Sequence, residues 1–475
     1  MTSDVEIQPA AGPSLPAPPP ATSPWATLRA LLLRLHFYAG ILVAPFLLVA
    51  ATTGLLYAAS FQLENVIHSH ELTAPVPAEA QRVPLARQVA AATAAHPGGT
   101  VGAVRTSDEP GVTTQVLLDV PGLAESTRLA VFVDPYTGRV RGALESYGSS
   151  GALPVRTWIS QLHRHLHLGE PGRVYSEMAA SWLWLVGLGG LVLWLSRRRR
   201  GERRLRRIVA PERGVRGLRG TLSWHGSVGL WALVGLLALS ATGLTWSKYA
   251  GANVDVLQRS FGWSTPSLPV PSGGHGDHGG HAAGDAEGAA ARSADADQVV
   301  RAAAGGGLSG PLEIVWPAEP GSPYVVKEID RLWPQRNDQV AVDPVDARVT
   351  AELRFDDYPL AAKLTRWGID GHMGVLFGPA NQILLAVLAL ALVSVIVWGY
   401  RMWWLRRPTR GFAAPYERGG LRRLPVGVTL LLGAVAIAVG VFLPLLGLSL
   451  LAFLVVDVVL ARTAALRARR SRVDG

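Results

Sequence analysis

Six stretches of about twenty apolar residues, at 30–58, 176–196, 224–247, 380–404, 425–441 and 443–461, constrain this chain more than any other feature. At about 1.5 Å per residue, a helix of that length crosses a hydrocarbon core of roughly 30 Å. In lipid, only helices and closed barrels satisfy their own backbone groups. The expected class is an integral membrane protein, mainly α, with six transmembrane helices.

Charge sets the expected orientation. The chain carries a net +10, and its 45 basic residues include only 3 Lys. Many gather in 197–220, in 401–423 and after Arg462. The positive-inside rule puts these segments in the cytoplasm, so six spans leave both termini there and the protein in the cytoplasmic membrane, surrounded by lipid. The basic excess thus reports topology, and no nucleic-acid partner is expected. The first residues are rich in Pro and Ala without the basic start of a signal peptide, which predicts a disordered tail. There is no cysteine, which excludes disulfides, iron–sulfur clusters and covalently attached c-type haem.

The loops 60–172 and 248–366 then lie outside the cytoplasm. Each opens on a short helical pattern, "VPLARQVAAATAA" or "ADADQVVRAAA". Alternating runs follow: "TVGAVRT", "VTTQVLLDV" and "TRLAVFVDPYTGRV" in the first loop, "LEIVW", "PYVVKEI" and "NDQVAVDPVDARV" in the second. Period-two alternation predicts strands. The loops also repeat one another. "VDPYTGRV" at 133–140 returns as "VDPVDARV" at 342–349, and this offset of 209 also relates Trp158 to Trp367, His163 to His372 and Gly169 to Gly378. Among the membrane helices an offset of 189 relates His36, Gly40 and Thr53-Gly54-Leu55 to His225, Gly229 and Thr242-Gly243-Leu244. The difference is absorbed by a Gly/Ala/Pro-rich insert at 264–291 that cannot build a core. A tandem parallel repeat of helix, extracytoplasmic α+β module and helix follows, with a final hairpin turning near Pro444.

The repeat sorts the 12 histidines. His36 and His225 fall at the cytoplasmic ends of the first and third spans, His163 and His372 just before the second and fourth. A pseudo-two-fold axis along the membrane normal sets each pair at one depth, face to face. A lone histidine at a helix end is usually an interfacial polar group, but two repeat-related pairs suit the axial ligation of two bis-histidine b haems. Gly40, Gly54, Gly229 and Gly243 would let a flat macrocycle approach the helices, although glycines also serve plain helix packing.

Other polar residues rank below these. In "QLHRHLHLG", His165 and His167 have no histidine counterpart, and His163 with His167 at i, i+4 is a secondary candidate for zinc or copper. His275, His278 and His281 lie in the insert and are secondary metal candidates. His68 and His70 are expected to face solvent, and Glu64 and Glu177 the outer interface. Asp457 is expected to pair with an arginine, Arg462 being near in sequence. Tryptophans at span ends form an aromatic belt.

Together "LRLHFYAG…TTGLLY", "QLHRHLHLG", "SWHGSVGLW…SATGL" and "DGHMGVLFGPANQ…GYRMWWLRRP" make the sequence over about 28–463 resemble the PepSY-associated transmembrane family. That family includes iron-regulated inner-membrane proteins and ferric-siderophore reductases. The two "VDP" segments resemble PepSY modules. The resemblance implies membrane-embedded b haem and reduction of extracytoplasmic ferric iron or a ferric siderophore, with His36, His163, His225 and His372 at the family's recurring histidine positions. No nucleotide-binding fingerprint is apparent, so a quinol or a separate reductase is the expected donor. The chelate is expected to dock between the two modules. A regulatory protein whose PepSY modules bind peptides or proteases, or a transporter of an iron chelate, is the alternative.

The resulting division is a tail (1–27), the first transmembrane helix (28–60) and a first PepSY-like module (61–153). An interfacial helix with the second span (154–196), a basic loop (197–221) and the third span (222–250) follow. The second module with its insert (251–358), an interfacial helix with the fourth span (359–405), a basic loop (406–424), the hairpin (425–463) and a tail (464–475) complete the chain.

Overall fold

The structure, a computed structural model, describes residues 23–197, 204–269, 295–319, 321–406 and 424–470. His275, His278 and His281, with most of the insert, lie outside the described residues.

Fourteen α-helices are described: α1 (Pro24–Leu42), α2 (Ala44–Ile67), α3 (Ser69–Leu72), α4 (Leu85–Ala95), α5 (Pro154–His165), α6 (Glu170–Leu195), α7 (Arg204–Val209), α8 (Gly217–Leu244), α9 (Tyr249–Ser260), α10 (Ala296–Gly305), α11 (Leu360–His372), α12 (Pro379–Arg406), α13 (Val426–Phe442) and α14 (Pro444–Arg470). Five of them, α2, α6, α8, α12 and the Pro444–Thr463 part of α14, are long and apolar enough to cross a membrane. The chain is a multi-pass membrane protein. The shorter α13 has 17 residues, about 25 Å of helix against a core of roughly 30 Å.

The first apolar block, expected as one helix, is two. Pro45 has no N–H to donate, and the ladder is interrupted at Val43, between α1 and α2. The turn expected at Pro444 is present: Leu443 leaves the helical region at φ −116° and ψ 80°. Beyond it Gly440 and Gly447 touch backbone to backbone, since a Cβ on Gly440 would stand 3.0 Å from the Gly447 Cα.

The helix α1 with its continuation α2, then α6, α8 and α12, form a closed ring. In it α2 packs on α12, α12 on α8, α8 on α6 and α6 on α1. The ring buries Ala39, Leu47, Ala51, Ala179, Trp182, Leu236 and Ile396. The hairpin is fastened outside, where Trp182 Nε1–H donates to Ser449 Oγ at 2.8 Å and Arg34 pairs with Asp457 at 3.2 Å. Asp457 thus finds its arginine on α1 rather than at Arg462, and Arg34 is 2% exposed.

One antiparallel sheet holds eight strands: β1 (Thr100–Thr106), β2 (Thr114–Asp119), β3 (Thr127–Val133), β4 (Val140–Tyr147), β5 (Leu312–Val315), β6 (Tyr324–Glu328), β7 (Gln339–Val342) and β8 (Val349–Leu353). Their order is β4-β3-β2-β1-β5-β6-β7-β8. Each half is a helix followed by four strands. The halves join where β1 pairs with β5, Arg105 opposite Glu313. The facing edges of the two halves are thus hydrogen-bonded to each other in one continuous sheet.

One face of the sheet packs its apolar side chains under α4 and α10, with Val104, Val131, Val299, Ile314 and Val340 fully buried. On the other face Ala103, Leu117, Ala130 and Phe132 pack with Leu153, at the start of α5. The matching turns after β3 and β7 are built alike. Asp134 Oδ1 accepts from the N–H groups of Tyr136 and Thr137, and Asp343 Oδ1 from those of Val345 and Asp346. Gly138 takes the left-handed φ of +70° that this turn needs, and Ala347 takes +54° at the equivalent place. Gly305, Gly307 and Gly310 have a G-x-G-x-x-G spacing, but they join a helix to a strand. A dinucleotide site needs the reverse order.

Candidate functional site

His36 stands on α1 and His225 on α8, diagonally across the helix ring. Their ring centroids are 6.2 Å apart, with planes at 86°. His36 Nδ1–H donates to the Val186 carbonyl of α6 at 3.1 Å, and His225 Nδ1–H to the Val395 carbonyl of α12 at 2.9 Å. A carbonyl can only accept, so each Nδ1 carries the proton and each Nε2 keeps its lone pair. Val186 and Val395 are related by the offset of 209 that also links the loop motifs.

His163 at the end of α5 and His372 at the end of α11 form a second pair nearer the sheet, with centroids 6.4 Å apart and planes at 60°. Here the acceptors include hydroxyls, Thr53 Oγ1 at 2.9 Å from His163 Nδ1 and Thr242 Oγ1 at 2.7 Å from His372 Nδ1, beside the backbone carbonyls of Ala50 and Leu239. Each threonine spends its own proton on a carbonyl four residues back, Val49 at 2.7 Å and Ala238 at 2.9 Å. Its lone pairs are then left for the imidazole N–H. Along α8, His225 and Thr242 are separated by about 25 Å of helix. All four histidines singled out by the repeat therefore meet as two pairs at two depths.

The donor set fits an iron with two axial imidazoles. In each pair both imidazoles keep an Nε2 lone pair, and ring centroids 6.2 and 6.4 Å apart would leave room for one metal ion to be held between them. An N–H partner on the far nitrogen, as all four histidines have, is the usual support of a metal-bound imidazole.

The glycines divide differently from the sequence expectation. Gly54 and Gly243 seat the imidazoles themselves: a Cβ there would stand 3.3 Å from His163 Cε1 and 3.4 Å from His372 Cε1. Gly40 faces open space, and a Cβ on Gly229 would meet only Val395 Cγ2, at 3.9 Å. These two leave room beside the first pair. Gly190 and Gly399 do for that pair what Gly54 and Gly243 do for the second, with a Cβ on Gly190 falling 2.9 Å from His36 Cε1. The offset of 209 relates Gly190 to Gly399, and that was the signal for them. Trp246 adds a wall, its ring 6.1 Å from that of His372.

The remaining histidines form no repeat-related pair, although His165 and His167 stand with ring centroids 6.0 Å apart and planes at 83°. The helix α5 ends at His165, and Leu166 and His167 take left-handed φ values of 54° and 55°. The i, i+4 face assumed for His163 and His167 is therefore absent. His167 turns onto Trp158, with ring centroids 5.0 Å apart and its Nε2 3.0 Å from the Trp158 carbonyl. His165 is held below its ordinary value by burial and then by Arg164. Among the described residues no group of three or more His, Cys, Asp or Glu side chains could hold a metal ion. His70 is exposed as expected, but His68 Nε2 is buried.

Two carboxylates expected at the outer interface are buried instead. Glu64 takes the N–H of Leu153 at 2.9 Å and the Arg156 Nε–H at 3.1 Å, fixing the start of α5. Glu177 accepts from the N–H groups of Tyr249 and Ala250, at 3.0 and 2.9 Å, in the first turn of α9. Glu177 works as a helix cap, satisfying N–H groups that a first turn leaves open, and Glu64 holds the residue just before α5.

Comparison with proteins of curated function finds no match. The family model described as the PepSY-associated TM region matches residues 33–406, most of the chain, and the protein belongs to that family.

Proposed function

We propose that this protein is a b-haem oxidoreductase of the cytoplasmic membrane that passes electrons outward to reduce ferric iron or a ferric siderophore. In this reading the chain is a six-span tandem repeat with α13 as the shortest span. The eight-stranded sheet, formed from two PepSY-like modules, lies outside, and both termini lie inside. The positive-inside rule supports the orientation, because the basic segments follow α6 and α12 in the chain and precede α8 and α13.

One observation carries the reading. Two repeat-related pairs of histidines, with centroids 6.2 and 6.4 Å apart, each have Nδ1–H committed to a neighbour. A structural pair of neutral imidazoles would more simply hydrogen-bond ring to ring. His36 and His225 would hold one haem, His163 and His372 the other. When bound, each group supplies one-electron chemistry between Fe(II) and Fe(III).

The chain's own residues supply the rest. The Val186 and Val395 carbonyls and the Thr53 and Thr242 hydroxyls fix tautomer and ring orientation, raising the basicity of each Nε2. Ala39, Leu47, Ala51, Leu236 and Ile396 fill the ring between the pairs with apolar bulk, excluding water and keeping the surroundings of low dielectric. The donor would be a quinol or a separate reductase, reaching the His36–His225 end. The acceptor is substrate: hard oxygen donors bind Fe(III) far better than Fe(II), so one electron loosens the chelate.

Purified protein supplied with haem should give a b-type α-band in its dithionite-reduced minus oxidised spectrum. It should also, once reduced, convert ferric citrate to Fe(II) trapped by ferrozine. Absence of the α-band would sink the reading.

A further inference from the structure

Between the sheet and the His163–His372 pair, four arginines from four segments come together. Arg105 comes from β1 and Arg156 from α5, Arg331 follows β6, and Arg366 stands on α11. Alternation along β1 puts Arg105 on the face of Ala103, away from α4 and α10 and toward the helix ends. Arg105 pairs with Glu313 at 2.7 Å and Arg156 with Glu64 at 3.1 Å. The other two share one carboxylate, Asp370, with Arg366 at 2.9 Å and Arg331 at 3.6 Å. Asp370 is fully buried, and Gln335 also donates to it. Tyr57, one turn beyond the Thr53 that holds His163, is bonded to Arg156 and lies in the field of Arg331.

Four guanidiniums thus face three carboxylates, Arg366 Nε is buried without a hydrogen-bond partner, and Arg331 makes the longest of the four ion pairs. Its contacts are the long one to Asp370 and one to Met373 Sδ at 4.0 Å. The adjacent Asp330 is turned to the Leu332 N–H at 3.0 Å. Burial, and then the guanidinium of Arg366, push Arg331 down to about 10. A partly buried surplus cation is costly unless an anion completes it. A planar guanidinium is the side chain best shaped to take a carboxylate on two N–H groups.

We propose that Arg331, backed by Arg105, Arg156 and Arg366, binds a carboxylate group of a ligand that lies between the sheet and the His163–His372 pair. The inference deepens the haem reading, and the carboxylate has two sources within it. It belongs either to a propionate arm of a haem on His163 and His372 or to a carboxylate-bearing ferric chelate.

The test compares full-length wild type with Arg331→Gln and Arg331→Lys by haem content, midpoint potentials and equilibrium dialysis of radiolabelled ferric citrate. If the carboxylate is a propionate, Arg331→Gln lowers one of two midpoint potentials and leaves citrate binding unchanged. If it belongs to the chelate, Arg331→Gln weakens citrate binding about tenfold and leaves both potentials in place. In either case Arg331→Lys, which keeps the charge, recovers part of the effect. Unchanged potentials and unchanged citrate binding in Arg331→Gln, with both haems retained, overturn the proposal. Wild type without haem refutes the haem reading instead. The citrate arm then decides: weaker binding in Arg331→Gln supports the arginine site, and equal binding refutes it.

Discussion

His36 and His225 stand 6.2 Å apart by ring centroid, and the Nδ1–H of each donates a hydrogen bond to the carbonyl of a valine on a neighbouring helix, Val186 on α6 or Val395 on α12. The same arrangement recurs near the sheet, where threonine hydroxyls join the backbone carbonyls. Each pair is thus a relationship between the two repeats, and each imidazole is held from outside the pair.

The threonine hydroxyls are open to substitution where the valine carbonyls are not. Thr53→Val or Thr242→Val removes the side-chain acceptor of one buried imidazole and leaves it only the backbone carbonyl of Ala50 or Leu239. Loss of such a partner weakens metal ligation by about 10–100-fold. Haem retention against apomyoglobin should fall for one of two haems, and Thr→Ser at either position should restore it.

Gly190→Ala should displace His36, because the added carbon would stand 2.9 Å from its Cε1. Overpacking of this kind destabilises by about 1–3 kcal/mol. Gly189→Ala, where nothing lies within 4 Å, is the control and should be neutral. Thermal denaturation in detergent compares the two.

The Arg34–Asp457 pair fastens the last helix to the first at 3.2 Å. Asp457→Asn leaves a buried guanidinium without its counter-charge, a loss of about 3–5 kcal/mol. The double variant Arg34→Met/Asp457→Leu should regain much of that. Denaturation midpoints give the comparison, and haem content should remain at the wild-type value in the double variant.

Asp297 on α10 caps a helix of the other half-sheet, accepting from Leu85 N–H at 2.8 Å and Ala86 N–H at 3.1 Å. Asp297→Ala should cost about 0.5–2 kcal/mol, read as a lower melting temperature of the sheet-bearing region. Proteolytic nicking near residue 85 should rise with it.

The legible parts of this fold are those written as periodicity or as repeated spacing. Apolar length located five helices long enough to span a membrane, alternation located β1, β2, β3, β5, β6 and β7, and two offsets picked four histidines out of twelve. The Thr-Gly-Leu triplets served as landmarks of the repeat, and the hydroxyls inside them prove to hold His163 and His372. What was hidden has no side-chain signature. The Val186 and Val395 acceptors are backbone atoms, available from any residue at that position. The joining of β1 to β5 depends on two strand edges more than 200 residues apart. Glu64 and Glu177 resemble interfacial acids until the helix starts they hold are known. The loss of the His163–His167 face follows from two left-handed residues, Leu166 and His167, neither of them glycine.

Haem content per chain, measured by pyridine haemochrome in wild type, His36→Ala and His372→Ala, tests the central claim most directly. Two haems per wild-type chain and one in each variant is the expected result, with the lost haem differing between variants in its midpoint potential. Equal haem content in all three proteins, or none in wild type supplied with haem, would contradict it.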